Sequence, residues 1–284
     1  MAAPPVLQAQ RVSHGYGSHA VLDAISLSFH QGELVSLLGP NGCGKTTFLK
    51  ILLGLLRPSS GTVLFQGKSI RSFSPRQYAR QVAYVPQIHR TAFPYTVEDV
   101  VAMGRIPHQS LWLRGSAKHH TWVEEALVKL EIAHLRKRAY TEISGGERQL
   151  TLIARALAQG ASTIIMDEPT AALDYGHQIR LLEQLARLAD QGLTCIKSTH
   201  TPEHALWVSS RVVLLKDGQV LADGRPDEKI SPETLKTLYR VCVCVAHSET
   251  GVSAFVPTGL GEARGAGGGP AEQAVPESEP PLTR

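Results

Sequence analysis

The chain has 284 residues, with 29 Lys+Arg against 25 Asp+Glu for a formal net charge of +4, and is 43% hydrophobic and 19% charged. These are globular values. They exclude a disordered chain and a disulfide-stapled miniprotein, and the length suffices for one large domain or two.

No stretch reaches the roughly 18 uncharged apolar residues of a membrane span. The best run, Phe48 to Leu56, is broken by Lys50 and Gly54, so the chain is not expected to cross a bilayer by itself. The amino-terminal MAAPPVLQAQR lacks the basic start and apolar stretch of a secretory signal, and export is not expected. Cys43, Cys195, Cys242 and Cys244 show neither a CxxC nor a metal-ligand spacing and read as reduced thiols. Cys242 and Cys244 fall on one face of a predicted strand, VCVCV. The small charge excess implies no nucleic-acid partner without a clustered patch, and the clearest cluster, Arg136-Lys137-Arg138, reads as a solvated helix end.

In chain order, residues 6–29 and GTVLFQG (61–67) alternate apolar and polar in places, the pattern of half-buried antiparallel strands. ELVSLLG (33–39) is an unbroken apolar run entering a glycine-rich turn, and TTFLKILLGLL (46–56) reads as a buried helix after it. STIIM (162–166) and TCIKST (194–199) are further buried strands, separated by the helical QIRLLEQLARLAD (178–190), which argues for a parallel sheet. Between about 90 and 142, EDVVAMGR and TWVEEALVKLEIAHLRKR predict an inserted helical subdomain. RVVLLKDGQVLADG (211–224) carries a hairpin signal at Asp217-Gly218, where the sheet is expected to finish. Residues 225–258 read as a short accessory segment. The Gly-, Pro- and Glu-rich stretch 259–284 cannot bury enough apolar surface to offset its ordering entropy and is expected to be disordered.

The chemistry starts at Gly39-Pro40-Asn41-Gly42-Cys43-Gly44-Lys45-Thr46, which fits G-x-x-x-x-G-K-[ST] between a strand and a helix. Such a loop turns backbone N–H groups onto phosphate oxygens, with Lys45 reaching the β and γ phosphates and Thr46 able to ligate Mg²⁺. Thr47 follows in the same helix start. Cys43 reads as a small loop residue, not a nucleophile. The strand TIIM ends in Asp167-Glu168, where Asp167 would hold Mg²⁺ and Glu168 would act as general base on water. His200, after TCIKST, could reach the γ-phosphate from the neighbouring strand end.

Ile143-Ser144-Gly145-Gly146-Glu147-Arg148-Gln149 resembles the signature sequence of ABC-type ATPases, and Ala172-Leu173-Asp174 resembles their D-loop. With Gln87 at the position of the Q-loop glutamine, the order of motifs is similar to that family's nucleotide-binding domain over about residues 6–224. No [NT]KxD guanine-binding motif argues for a GTPase.

The resemblance implies an α/β P-loop NTPase: a parallel-sheet core, an antiparallel β subdomain at the amino end and an inserted α-helical subdomain. It implies ATP and Mg²⁺, with Gln87 touching Mg²⁺ or water and Tyr16 stacking on adenine. It also implies a head-to-tail dimer in which Ser144 and Gly146 of one copy meet the γ-phosphate held by the other. Ile143 replaces the usual Leu, Glu147 the usual Gln, and Thr201 a frequent Asp; the last bears on loop geometry.

A lone ATPase domain without a membrane span must borrow integral membrane permease subunits. The stretch Tyr95 to His108, with 173–178 and 200–205, resembles ATPases of importers for iron-siderophore, haem, cobalamin or molybdate cargo, although 95–108 also reads as a helix packing within its own subdomain. An extracytoplasmic solute-binding protein and a peripheral location on the cytoplasmic side of the inner membrane follow. An exporter ATPase or a soluble non-transport ABC ATPase would share the ATP-site motifs.

Overall fold

β1 (Leu7–Tyr16) and β2 (His19–Phe29) form an antiparallel hairpin at the amino end of the chain. This is a computed structural model that describes residues 4–87, 94–108, 117–247 and 253–258. Alternate residues Leu7, Ala9, Ile25, Leu27 and Phe29 are buried, the period of two that a half-buried sheet requires. β3 (Leu34–Leu38) is buried at all five positions, as a strand covered on both faces must be.

Gly44 opens α1 (Lys45–Leu52). The apolar run predicted a helix continuing to Leu56, but Gly54 takes φ +70° and ends it, which leaves Leu55 64% exposed. β4 (Ser60–Phe65) and β5 (Lys68–Ser69) complete an antiparallel sheet of order β2-β1-β4-β5. α2 (Pro75–Ala79), started by a Ser74–Gln77 capping box, leads to β6 (Val82–Val85).

The helical segment between β6 and the next strand contains α3 (Val97–Ala102), α4 (Ala117–Lys129) and α5 (Gly145–Gln159). Residues 88–93 and 109–116 of the predicted insert lie outside the described residues. The predicted helix EDVVAMGR shortens to α3 and a 3-10 turn, Met103–His108, because Gly104 and Pro107 sit within it. That turn packs on its own helical unit: Arg105 Nη1 donates to Ala158 O at 2.8 Å and Gln159 O at 3.0 Å, and its guanidinium lies 4.9 Å from the Trp122 ring centroid.

Arg136 and Lys137 follow the 3-10 turn Ala133–Leu135 and reach solvent, as expected of a helix end, with the Lys137 side chain 79% exposed, but they are also partnered. Both donate to the Glu98 carboxylate, at 3.0 and 2.7 Å, and so tie α3 to the chain leading into the signature. These two donors also hold Glu98 below the usual carboxylate range, with Lys137 the larger cause.

β7 (Thr163–Met166), α6 (Tyr175–Asp190), β8 (Thr194–Thr199), α7 (Pro202–Val208), β9 (Arg211–Lys216) and β10 (Gln219–Gly224) follow. They build a sheet of order β10-β9-β3-β8-β7-β6, parallel except for β10. Asp217 and Gly218 turn the β9–β10 hairpin with φ of +48° and +77°, as the tight turn demands. The main sheet ends at Gly224, as expected.

One face of that sheet, through Val35, Leu37, Ile165 and Ile196, packs on Phe48, Leu49 and Ile51 of α1 and on the antiparallel sheet beyond. The other face, through Leu34, Ile164, Met166 and Cys195, is covered by α5, α6 and the helical segment. Each buried Leu, Ile or Phe there contributes about 1.5–3 kcal/mol, so α1 is held by packing more than by its eight-residue length. The described residues of the accessory segment form α8 (Pro226–Lys229), α9 (Pro232–Tyr239), β11 (Val243–His247) and β12 (Ser253–Pro257), the last two paired as a separate ribbon. Cys242 and Cys244 are exposed on it. The stretch 259–284, expected to be disordered, lies outside the described residues.

Candidate functional site

The end of β3 feeds the glycine-rich loop beneath β9 and β2, and two glycines make that path possible. A Cβ on Gly39 would meet the backbone oxygen of Leu215 and lie 2.8 Å from Cys43 Sγ. Gly44 has φ +103°, and a Cβ there would lie 2.6 Å from Leu22 Cδ2. The amino end of α1 has no side-chain cap and no acid in its first turn, so its N–H groups are left to an external acceptor. Lys45 is buried, and its Nζ donates to Gly39 O at 2.6 Å and Pro40 O at 3.0 Å, which sets the ammonium across the loop. Burial pushes the Cys43 thiol up against the lowering effect of Lys45, which suits a packing residue and not a nucleophile.

The parallel register of β7 and β8 pairs Met166 with Lys197 and brings Asp167 beside Ser198. The Ser198 hydroxyl donates to Asp167 Oδ1 at 2.6 Å and accepts from the Glu168 N–H at 2.8 Å, so one side chain sets both acids. Glu168 has φ +45°, a strained conformation of the kind found at functional sites. Its carboxylate accepts from Gln87 Nε2 at 2.9 Å, and His200 Nδ1 lies 3.3 Å from its other oxygen.

Asn41, Gly42, Gly44, Lys45, Thr46, Thr47, Gln87 and Glu168 line one cleft of about 310 Å³, joined by Val21. Asp167 is buried behind it with one oxygen committed to Ser198. The hydroxyl of Thr46, the amide of Gln87 and the carboxylate of Asp167 are hard oxygen donors that fit Mg²⁺. Among the described residues no group of three or more His, Cys, Asp or Glu side chains is placed to hold a metal, so this site suits an ion that takes its other ligands from phosphate and water.

Several predicted residues are not brought to this cleft. Tyr16 ends β1, 54% exposed, with its ring edge-on to His14 at 4.9 Å. Ser144 caps α5 in a reciprocal box with Glu147: Ser144 N donates to Glu147 Oε2 at 2.7 Å, and Glu147 N donates to Ser144 Oγ at 3.2 Å. The box explains why Glu serves at this position, and the Ser144 bonds hold its carboxyl below the usual range. Gly145 and Gly146 form the first turn of α5. Asp174 caps α6, accepting from His177 N at 2.9 Å and pairing with His177 Nδ1 at 2.8 Å. Glu147 and His177 line a separate hollow of about 270 Å³.

Two residues escaped the sequence reading. Ser198 is the anchor just described. Lys197 is fully buried in β8, where burial lowers its amine to about 7, and its Nζ donates to His204 O at 3.4 Å. The signal available for both was polar residues inside the buried strand TCIKST.

Residues 22–171, more than half of the chain, match the family model described as ABC transporter. The chain belongs to the ABC transporter family. An ABC transporter ATP-binding protein of Haemophilus influenzae is 41% identical across 85% of this chain and 92% of its own length. The iron(3+)-hydroxamate import ATP-binding protein of Bacillus subtilis is 35% identical across 83% and 88%. Among solved structures, an ABC transporter described as of metal-chelate type, in an inward-facing conformation, superposes with a TM-score of 0.78 at 30% identity over 90% of this chain and 98% of its own. The observed mixed sheet with helices on both faces is therefore the ABC ATPase fold, and the chain is a nucleotide-binding subunit whose ATP hydrolysis is coupled to transport. Among the described residues no helix is long and apolar enough to cross a membrane.

Proposed function

We propose that this ABC ATPase energises an importer of metal-chelate cargo, of the iron-siderophore, haem, cobalamin or molybdate class, as two head-to-tail copies seated on integral membrane permease subunits at the cytoplasmic face. An extracytoplasmic solute-binding protein supplies the cargo. The observation that carries the catalytic part is the Glu168 carboxylate, held by Gln87 at 2.9 Å and facing His200 at 3.3 Å beside the phosphate loop.

In this reading the loop N–H groups, the amino end of α1 and Lys45 bind the β and γ phosphates. Glu168 takes a proton from water as its oxygen attacks the γ-phosphorus, and the bond to the bridging β–γ oxygen breaks to release ADP and phosphate. His200 orients Glu168 and the γ-phosphate. No covalent intermediate forms; the rate comes from positioning and charge stabilisation. Thr46, Asp167 and Gln87 would hold Mg²⁺, which would supply neutralising charge at the phosphate oxygens. Ser144 and Gly146 of the second copy complete the γ-phosphate site; in a single chain neither lines the Lys45 cleft. Tyr16 stacks on adenine at the open rim, and Asp174 lies at the dimer seam.

An open groove of about 1040 Å³ between residues 53–58 and the turn Met103–His108 supports the permease reading. Leu55, Leu56, Phe73, Tyr78 and Ile106 give it an apolar lining, and Arg71 stands among them.

The test is Glu168→Gln. ATP binding is retained and turnover falls by about 10²–10⁴; normal turnover would remove Glu168 from its role. The same variant, affinity-purified with ATP from gently solubilised membranes, carries along a many-span permease. Recovery of soluble partners alone contradicts the importer.

A further inference from the structure

Residues 226–247 and 253–258 lie outside the matched stretch 22–171, and elements from both ranges converge on one short part of the core, the turn after β8 and the helix α7 that follows it. Tyr239, at the end of α9, donates its hydroxyl to the backbone oxygen of His200 at 3.1 Å. Phe255 N on β12 donates to Glu203 Oε1 at 3.3 Å, and Trp207 Nε1 on α7 donates to Ser253 O at 3.1 Å. Beneath these bonds Ile230, Leu235 and Leu238 are buried against Ala205 and Leu214.

The turn has one bond of its own, Thr199 Oγ1 accepting from the Thr201 N–H at 3.1 Å. Thr201, the residue that caps α7, makes no side-chain cap, and the His200 side chain is exposed. The Tyr239 bond adds a hold on the His200 carbonyl from outside the turn. Burial pushes the Tyr239 phenol up, with smaller contributions from Cys43, Glu203 and Glu168, so the hydroxyl stays a donor throughout the neutral range.

We infer that Tyr239 is a positioning residue for hydrolysis, holding the His200 backbone so that the imidazole meets Glu168, and that α9 and β12 act as a clamp on the turn that carries His200. The inference rests on the role proposed above for His200. The clamp explains why a segment without any nucleotide-binding motif packs so closely behind the site.

The experiment compares the full-length chain with Tyr239→Phe, His200→Ala and the double variant. It uses single-turnover ATP hydrolysis with enzyme in excess, so that slow variants remain measurable. Phe keeps the ring and its packing and removes only the donor. Loss of one neutral hydrogen bond to a positioned group predicts a rate about threefold to tenfold lower for Tyr239→Phe, with the KM for ATP and the melting temperature unchanged. In the His200→Ala background, Tyr239→Phe causes no further loss, because the group it positions is gone.

An unchanged rate in Tyr239→Phe overturns the inference. So does an equal loss in both backgrounds, or a loss accompanied by a raised KM and a lowered melting temperature, which marks a merely structural role. If His200→Ala itself hydrolyses ATP normally, the role of His200 fails and Tyr239 falls with it; if His200→Ala is impaired and Tyr239→Phe is not, only the clamp fails.

Discussion

The side-chain amide of Gln87 donates to the Glu168 carboxylate at 2.9 Å, joining the chain just after β6 to the end of β7 across the nucleotide cleft. Gln87 is also the last described residue before the helical segment, so the bond links that segment's root to the proposed base. Gln87→Ala is expected to lower ATP turnover by about tenfold, the loss of a hydrogen bond to a charged group. It should also raise the number of ATP molecules spent per cargo transported, because the helical segment no longer reports to the base. Parallel ATPase and uptake assays in reconstituted vesicles measure both; an unchanged ratio would assign Gln87 to hydrolysis alone.

Ser198 holds both acids, donating to Asp167 at 2.6 Å and accepting from the Glu168 N–H at 2.8 Å. Ser198→Ala leaves a buried carboxylate oxygen and a backbone donor short of a partner, which costs about 1–3 kcal/mol of stability. Turnover is expected to fall further than stability explains, since Asp167 and Glu168, the acids proposed to serve the metal and to act as base, both lose their register. Denaturant unfolding and ATPase rates on the same sample separate the two effects.

Lys197 gives a pH signature to the fold. Its amine is lowered to about 7 by burial, from an ordinary value of 10.5. Between those values the unfolded chain binds a proton that the folded chain refuses, so stability falls as pH drops from about 10.5 to about 7 and levels off below. Lys197→Met keeps the length and removes the amine. The variant is expected to be more stable than the parent by about 2–4 kcal/mol at pH 6.5, with the gap narrowing above pH 9. Urea unfolding of both chains at the two pH values decides it, and a pH-independent gap would show that the folded amine binds its proton as the unfolded one does and is not lowered by burial.

What could be read in the sequence was chemistry that demands particular residue types at fixed spacing. Gly39 and Gly44 pass where a Cβ would collide, and Asp167-Glu168 ends an apolar strand, so composition alone exposes them. β3 and the Asp217-Gly218 hairpin were equally legible, because burial on both faces and a positive-φ turn each leave a pattern. Long-range contacts leave none. Arg136 looks like a surface charge until Glu98, 38 residues away, is folded against it, and Tyr239 looks like an ordinary amphipathic-helix residue until it meets His200. Helix ends were misjudged at Leu52 and Ala102 because the apolar run outlasts the point where Gly54 or Gly104 stops the helix. Ser144 and Gly146 read as phosphate ligands, yet they start α5 and do not line the Lys45 cleft of their own chain, and the sequence carries no mark of which copy's site a residue serves.

The apolar groove beside Leu55 yields the last prediction. Leu55 is 64% exposed, so a polar replacement removes no core packing and should change folding stability by no more than about 0.5 kcal/mol. Leu55→Asp places a charge among Leu56, Phe73 and Tyr78, where a partner helix would have to desolvate it. ATP hydrolysis by the isolated chain is therefore expected to stay within about twofold of the parent, while permease co-purification and cargo uptake are lost. Uptake that survives Leu55→Asp would move the permease contact to another face. A fall in the isolated ATPase would instead mean that residues 53–58 shape the phosphate loop through α1, a role their exposure argues against.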